Sequence, residues 1–234
     1  MGISSSNTAT STRAFLHSAY PILLGSFIGI WLIFFLPAGT LRYWEAWVLY
    51  MLICAVVFHQ FRYLIQQDPK LLERRMRSVE KERSQKYLIN GAILVFVVVF
   101  LIPGLDHRFG WSNIPVTLVL GADVLIFAGY GLFFRVLKEN TYASRVIEVM
   151  DAQKIISTGP YAIVRHPMYL AYFVMLVLAP LALGSYYGFL PVLILMPLVL
   201  GYRALKEEEL LIRELPGYAE YVQSVRWRIV PYVW

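Results

Sequence analysis

Apolar runs recur along this chain at Tyr20–Pro37, Trp44–Gln66, Tyr87–Pro103, Ile114–Leu137, Pro167–Leu183 and Tyr186–Gly201. Runs of about 18 residues are long enough to cross a hydrocarbon core of roughly 30 Å as helices. A segment in lipid must satisfy its own backbone groups, which leaves helix as the only plausible form for each. The last two runs are joined only by Gly184–Ser185, so they must form an antiparallel hairpin. With 59% hydrophobic residues and a mean hydropathy of +0.59, the chain is too apolar for an ordinary soluble domain. These features predict an all-α integral membrane protein with about six transmembrane helices, folded as a single domain over residues 1–234.

The net charge of +6 suggests nucleic acid only until the charges are placed. With six spans and a cytoplasmic N-terminus, 19 of the 21 basic residues face or border the cytoplasm, and only Arg42 and Arg108 fall outside. This is the positive-inside pattern, so both termini are expected in the cytoplasm. The basic residues then report topology and contact with anionic lipid, and no nucleic-acid partner is expected. Cys54 stands alone, and His17, His59, His107 and His166 are scattered without metal-ligand spacing, so neither a disulfide nor a metal is expected.

Residues 1–19 read as a cytoplasmic tail, of which the Ser/Thr-rich 1–12 is expected to be disordered. Pro69 to Lys86 is a charge-dense cytoplasmic linker, helical along the surface, and its charges read first as a topology signal. Asp123 lies inside the fourth run. An ionisable group at that depth is functional by default, but its place toward the external half makes a structural hydrogen bond an equal reading. Between the fourth and fifth runs, Val146–Val149 and Lys154–Ser157 flank a polar turn, the pattern of a small cytoplasmic β-hairpin. That hairpin would bring Asn140 near Gly159–Pro160–Tyr161.

The densest polar chemistry begins there. Pro167 suits the first turn of a helix because the donor it lacks is unused. Arg165 and His166 therefore precede a helix N-terminus, which favours anions. Arg165 adds a fork able to grip a carboxylate, and His166 can donate to a ligand or shuttle a proton. Beyond the sixth run the chain continues as an amphipathic helix. At 100° per residue, Ala204, Leu205, Leu211, Ile212 and Leu215 form one apolar arc with Glu208 at its centre and Glu207 at its edge. A carboxylate so placed must meet an arginine, a hydroxyl or a ligand. Arg165, Arg226 and Arg228 are the protein-only candidates, whereas Glu209 reads as a surface partner of Arg213. The tail Arg226–Pro231 alternates basic and apolar residues and can run along the membrane face, closing over a pocket or anchoring through Trp227 and Trp234.

Gly159–Pro160–Tyr161, Val164 to Tyr169, Glu207–Glu208 with Leu210–Leu211, Pro216 to Tyr218, Tyr221, and Arg226 to Arg228 with Pro231 together resemble the isoprenylcysteine carboxyl methyltransferase family. The related phospholipid N-methyltransferases share much of this pattern. The resemblance covers roughly the last hundred residues, 138–234 being the catalytic portion. It implies an integral membrane enzyme that takes a methyl group from S-adenosyl-L-methionine at the cytoplasmic side. The acceptor would be a lipophilic molecule (an isoprenoid, a prenylcysteine-like compound or a phospholipid) drawn from the membrane. Carried onto this chain, it implies that Asn140, Tyr161, Arg165, His166, Pro167, Tyr169, Glu207, Glu208, Arg226 and Arg228 hold the cofactor. Arg165, His166 and Glu208 are the candidate catalytic residues. Two rivals remain: a membrane reductase using NADPH, since sterol-reductase-like proteins carry a similar C-terminal pattern, and a non-enzymatic scaffold or permease.

Overall fold

The apolar runs fold into helices: α1 (Ser4–Ala38), α2 (Trp44–Gln67), α4 (Arg83–Phe109), α5 (Val116–Glu139), α6 (Pro167–Ala182) and α7 (Tyr186–Glu214). Two short helices, α3 (Pro69–Met76) and α8 (Tyr218–Ser224), and a 3₁₀ turn at Gly159–Ala162 complete the order. This computed structural model describes the backbone of residues 4–76, 83–142 and 153–234, with side chains from residue 20 onward except at 70, 73, 74, 76 and 83–93. Among the described residues, α2, α5, α7 and the Tyr20–Ala38 part of α1 are long and apolar enough to cross a membrane. α6 is a shorter apolar helix of 16 residues.

Several boundaries differ from the sequence reading. α1 already begins at Ser4, so the Ser/Thr-rich segment expected to be disordered is helical. α4 runs through Pro103 to Phe109. The first arm of the expected hairpin, Val146–Val149, lies outside the described residues, and its second arm, 154–157, is not a strand. The amphipathic C-terminal helix is the uninterrupted continuation of α7, and only part of its expected arc is buried. Ala204, Glu208, Leu211 and Leu215 face inward, while Leu205 and Ile212 are exposed. The reason is geometric: positions 204, 208, 211 and 215 follow one helical stripe, and 205 and 212 lie a further 100° around.

α6 packs against α5 and α7, and α4 packs against α1 and α7. Their shared core includes Phe34, Tyr43, Leu49, Val99, Leu183 and Val192. At one end of the bundle the turn between α6 and α7 is clamped. Asp106, 1% exposed, accepts from Ser112 N and Ser112 Oγ, each at 2.7 Å, and from Ser185 Oγ. Ser185 Oγ in turn accepts from Gly188 N at 2.9 Å, capping α7. Gly184 takes a positive φ of 74° to make the turn, which favours glycine. Pinning this end places the start of α6 and the far half of α7 side by side at the other end, where the polar residues collect.

Candidate active site

α6 starts at Pro167, with His166 as its N-cap residue and Arg165 just before it. The C-terminal tail lies alongside this entry strand. Arg165 N donates to Trp227 O at 2.9 Å and His166 N to Arg228 O at 2.8 Å, and Val164 pairs with Trp227 in a parallel bridge. These backbone bonds deliver Arg228 to the same place as Arg165.

Glu208, from α7, is the centre of the cluster. Its Oε1 accepts from Arg165 Nε at 2.6 Å and lies 3.2 Å from His166 Nε2. Its Oε2 accepts from Arg228 Nε at 2.9 Å and Arg165 Nη2 at 3.4 Å. Arg165 Nη1 also donates to the carbonyls of Val225 at 2.8 Å and Arg226 at 3.1 Å. These lie just past α8, where terminal carbonyls lack helical partners. Glu208 lies beyond the apolar stretch of α7 that ends at Gly201. Burial alone would raise its carboxyl, but hydrogen bonds from His166, Arg165 and Arg228 outweigh that and hold it at about 2. It is therefore ionised at neutral pH, and the arginine that meets it is supplied twice by the protein. Arg226 is not one of them, since its guanidinium lies over the Trp227 ring at 5.0 Å.

Beside this cluster is a cavity of about 480 Å³, within the usual range for small-molecule sites. Asn140, Tyr161, Arg165, His166, Tyr169 and Glu207 line it. Pro167, Glu208, Arg226 and Arg228 are not among its lining residues. The carboxylate that the Arg165 fork grips is that of Glu208, so this pair frames the cavity wall.

The wall itself carries a second network. Tyr169 Oη donates to Glu207 and accepts from Arg203 Nε at 2.9 Å. The Tyr169 ring stacks on His166 with centroids 5.3 Å apart and an interplanar angle of 12°. Asn140 Nδ2 donates to Tyr161 Oη at 2.8 Å, and Tyr221 Oη donates to the Tyr161 carbonyl at 2.8 Å. Burial pushes the hydroxyls of Tyr161, Tyr218 and Tyr221 well above the ordinary tyrosine range. They stay neutral at ordinary pH, Tyr221 as a donor and Tyr161 as an acceptor.

Arg75, Arg203, Tyr218 and Tyr221 also line the cavity, and sequence reasoning did not single them out as site residues. Arg203 was legible: it stands four residues before Glu207, and an i, i+4 pair shares a helix face. Arg75 gave no such signal, because nothing in its run of charges marks it as facing a cavity. Glu209 pairs with Lys206 at 2.7 Å, and Arg213 with Glu214 at 2.7 Å. Asp123 is buried, and neither carboxylate oxygen has a hydrogen-bond partner among the described residues, so the structural hydrogen bond weighed for it is not seen there.

Residues 119–213, which hold α5 from its first turn, the entry strand, α6 and α7 to Arg213, match the isoprenylcysteine carboxyl methyltransferase (ICMT) family. The match covers about two fifths of the chain, and this segment is similar to the family. The match contains Asn140, Tyr161, Arg165, His166, Tyr169, Arg203, Glu207 and Glu208, so most of the polar cavity wall lies within the matched segment. Arg75, Tyr218, Tyr221 and the Arg226–Arg228 tail lie outside it. No curated protein matches the chain.

Proposed function

We propose that the chain is an integral membrane methyltransferase that uses S-adenosyl-L-methionine and methylates a lipophilic, isoprenylcysteine-type acceptor at the cytoplasmic face. The observation that carries this reading is the two-sided cavity, whose polar wall lies mostly in the segment that matches the ICMT family. Tyr169, Glu207, Arg203 and Tyr161 line one part, and Val95, Phe96, Leu176, Met196 and Leu200 line another. A purely water-soluble substrate has no use for the second part, and a purely apolar one has no use for the first.

The residues fit the cofactor. Glu207 offers carboxylate oxygens to ribose hydroxyls or an ammonium group, and Arg203 offers a guanidinium to a carboxylate. The faces of Tyr169 and Tyr218 suit a sulfonium or a flat base. Asn140 and Tyr161 add to the polar lining. When bound, S-adenosyl-L-methionine supplies a methyl group already activated on a sulfonium. The protein's own contribution is alignment, since holding donor and acceptor close and in line removes much of the entropic barrier. His166, stacked on Tyr169 and tied to Glu208, keeps that tyrosine at its station. Glu208, Arg165 and Arg228 lock the entry strand, α7 and the tail together, so they act as positioning residues. Pro167 sets the start of α6. The cytoplasmic placement of this end is supported by the positive-inside distribution of Lys and Arg, on the six spans read from the sequence.

The test is calorimetric titration of the full-length detergent-solubilised protein with S-adenosylmethionine, S-adenosylhomocysteine and NADPH. Binding of the first two and not the third is expected. Binding of NADPH alone would favour the reductase, and no binding of any would leave a scaffold or permease.

A further inference from the structure

The cavity has a cation at the point where its wall changes from polar to apolar. Met168, Tyr172 and Leu176 stand four apart on one face of α6, and all line the cavity. They mark depth in steps of about 6 Å. Arg75 meets the first two: Nη2 donates to Tyr172 Oη at 3.0 Å, and Nη1 lies 3.8 Å from Met168 Sδ. Its guanidinium lies over the Phe133 ring at 5.2 Å. One turn further along α6 the lining residue is Leu176, and Val95 and Phe96 also line the cavity. Phe96 is also 42% exposed, so the apolar part reaches the outer surface of the bundle.

Local structure holds Arg75 there. Asp68 Oδ1 accepts from Leu71 N at 2.9 Å, capping α3 at Pro69. Leu71 and Leu72 are buried against Phe61, Leu64, Phe133 and Leu137. Arg75 follows Leu71 by one turn and so shares its inward face. Among the cavity arginines, Arg165 is engaged by Glu208 and backbone carbonyls and Arg203 donates to Tyr169, whereas Arg75 lies beside Met168 and Tyr172.

We propose that Arg75 is a specificity-determining residue that reads an anionic head group, carboxylate or phosphate, on an amphiphile whose tail occupies the apolar part of the cavity. An amphiphile seated that way puts its head at the polar–apolar boundary, within reach of this guanidinium, which matches such oxyanions. That this amphiphile is the methyl acceptor rests on the function proposed above.

The experiment measures binding to full-length protein in detergent, for wild type, Arg75→Gln and Arg75→Lys. The probes are an S-prenylated cysteine, its carboxamide, a prenyl phosphate and S-adenosylhomocysteine. Wild type is expected to bind the carboxylate about tenfold tighter than the carboxamide, the yield of one charge-assisted contact. Arg75→Gln loses that preference, Arg75→Lys keeps part of it, and S-adenosylhomocysteine affinity is equal in all three. Tighter binding of the prenyl phosphate than of the carboxylate would assign the head group to phosphate. A wild type without preference, an Arg75→Gln that keeps it, or a parallel loss of S-adenosylhomocysteine binding would overturn the proposal. Absence of S-adenosylhomocysteine binding in wild type would instead undo the methyltransferase reading and leave the anion preference standing.

Discussion

Replacing Glu208 by glutamine keeps its volume but removes the charge that two arginines and a histidine share. Taking one partner from a buried ion pair costs about 3–5 kcal/mol when the other is left unsatisfied. Two features lower that figure here. Arg165 keeps the carbonyls of Val225 and Arg226, so it is not stranded. Arg228 is 31% exposed, and a partly solvated pair of that kind contributes at most about 1 kcal/mol. The expected loss is therefore about 2–4 kcal/mol, or roughly 5–12 °C in melting temperature for a chain of this size. Thermal unfolding of the detergent-solubilised protein, followed by near-UV circular dichroism, measures it. The pH dependence has a definite sign. Glu208 is held at about 2 against an ordinary 4.5. Its contribution is thus complete above about 4.5 and disappears as pH falls toward 2. The gap between wild type and Glu208→Gln should close over that interval. A glutamine variant that melts within a degree of wild type at neutral pH would show that the cluster does not hold the tail to α7.

Tyr169→Phe and Glu207→Gln remove the wall network without touching the Glu208 clamp. Each should weaken S-adenosylhomocysteine binding about tenfold, the worth of one charge-assisted hydrogen bond, with little change in melting temperature; calorimetry showing unchanged affinity in both would remove them from the cofactor site. Asp123→Leu relieves a buried carboxyl without a partner and should stabilise the protein by about 1–3 kcal/mol, read as a higher melting temperature. A fall would mean that Asp123 has a partner in the membrane. Gly188→Ala places a methyl 2.9 Å from Pro103 Cγ and 3.0 Å from Pro180 Cβ, an overpacking that should cost about 1–3 kcal/mol. Wild-type stability in that variant would show that the α4–α6–α7 junction can shift to make room.

Much was decided by the order of residues alone. Long apolar runs have no alternative to helix in lipid, the Gly184–Ser185 link dictates a hairpin, and Pro167 marks the start of α6, because these constraints act within one segment. The helical stripe through Glu208 required a buried partner for the same local reason. Whether that partner was an arginine, a hydroxyl or a ligand, and which of three arginines it was if one, the order of residues left open. Tertiary structure chose Arg165 and Arg228, since only the pairing of the tail with the entry strand brings residues so far apart in the chain within 3 Å of one carboxylate. It also took Glu208 out of the cavity wall and left Glu207 in it. Neighbours on a helix point 100° apart, and which of the two faces a cavity depends on what packs against that helix. Arg75 shows the same limit: seven basic residues lie between Lys70 and Lys86, and the burial of Leu71, not any property of the charge run, turns this one inward.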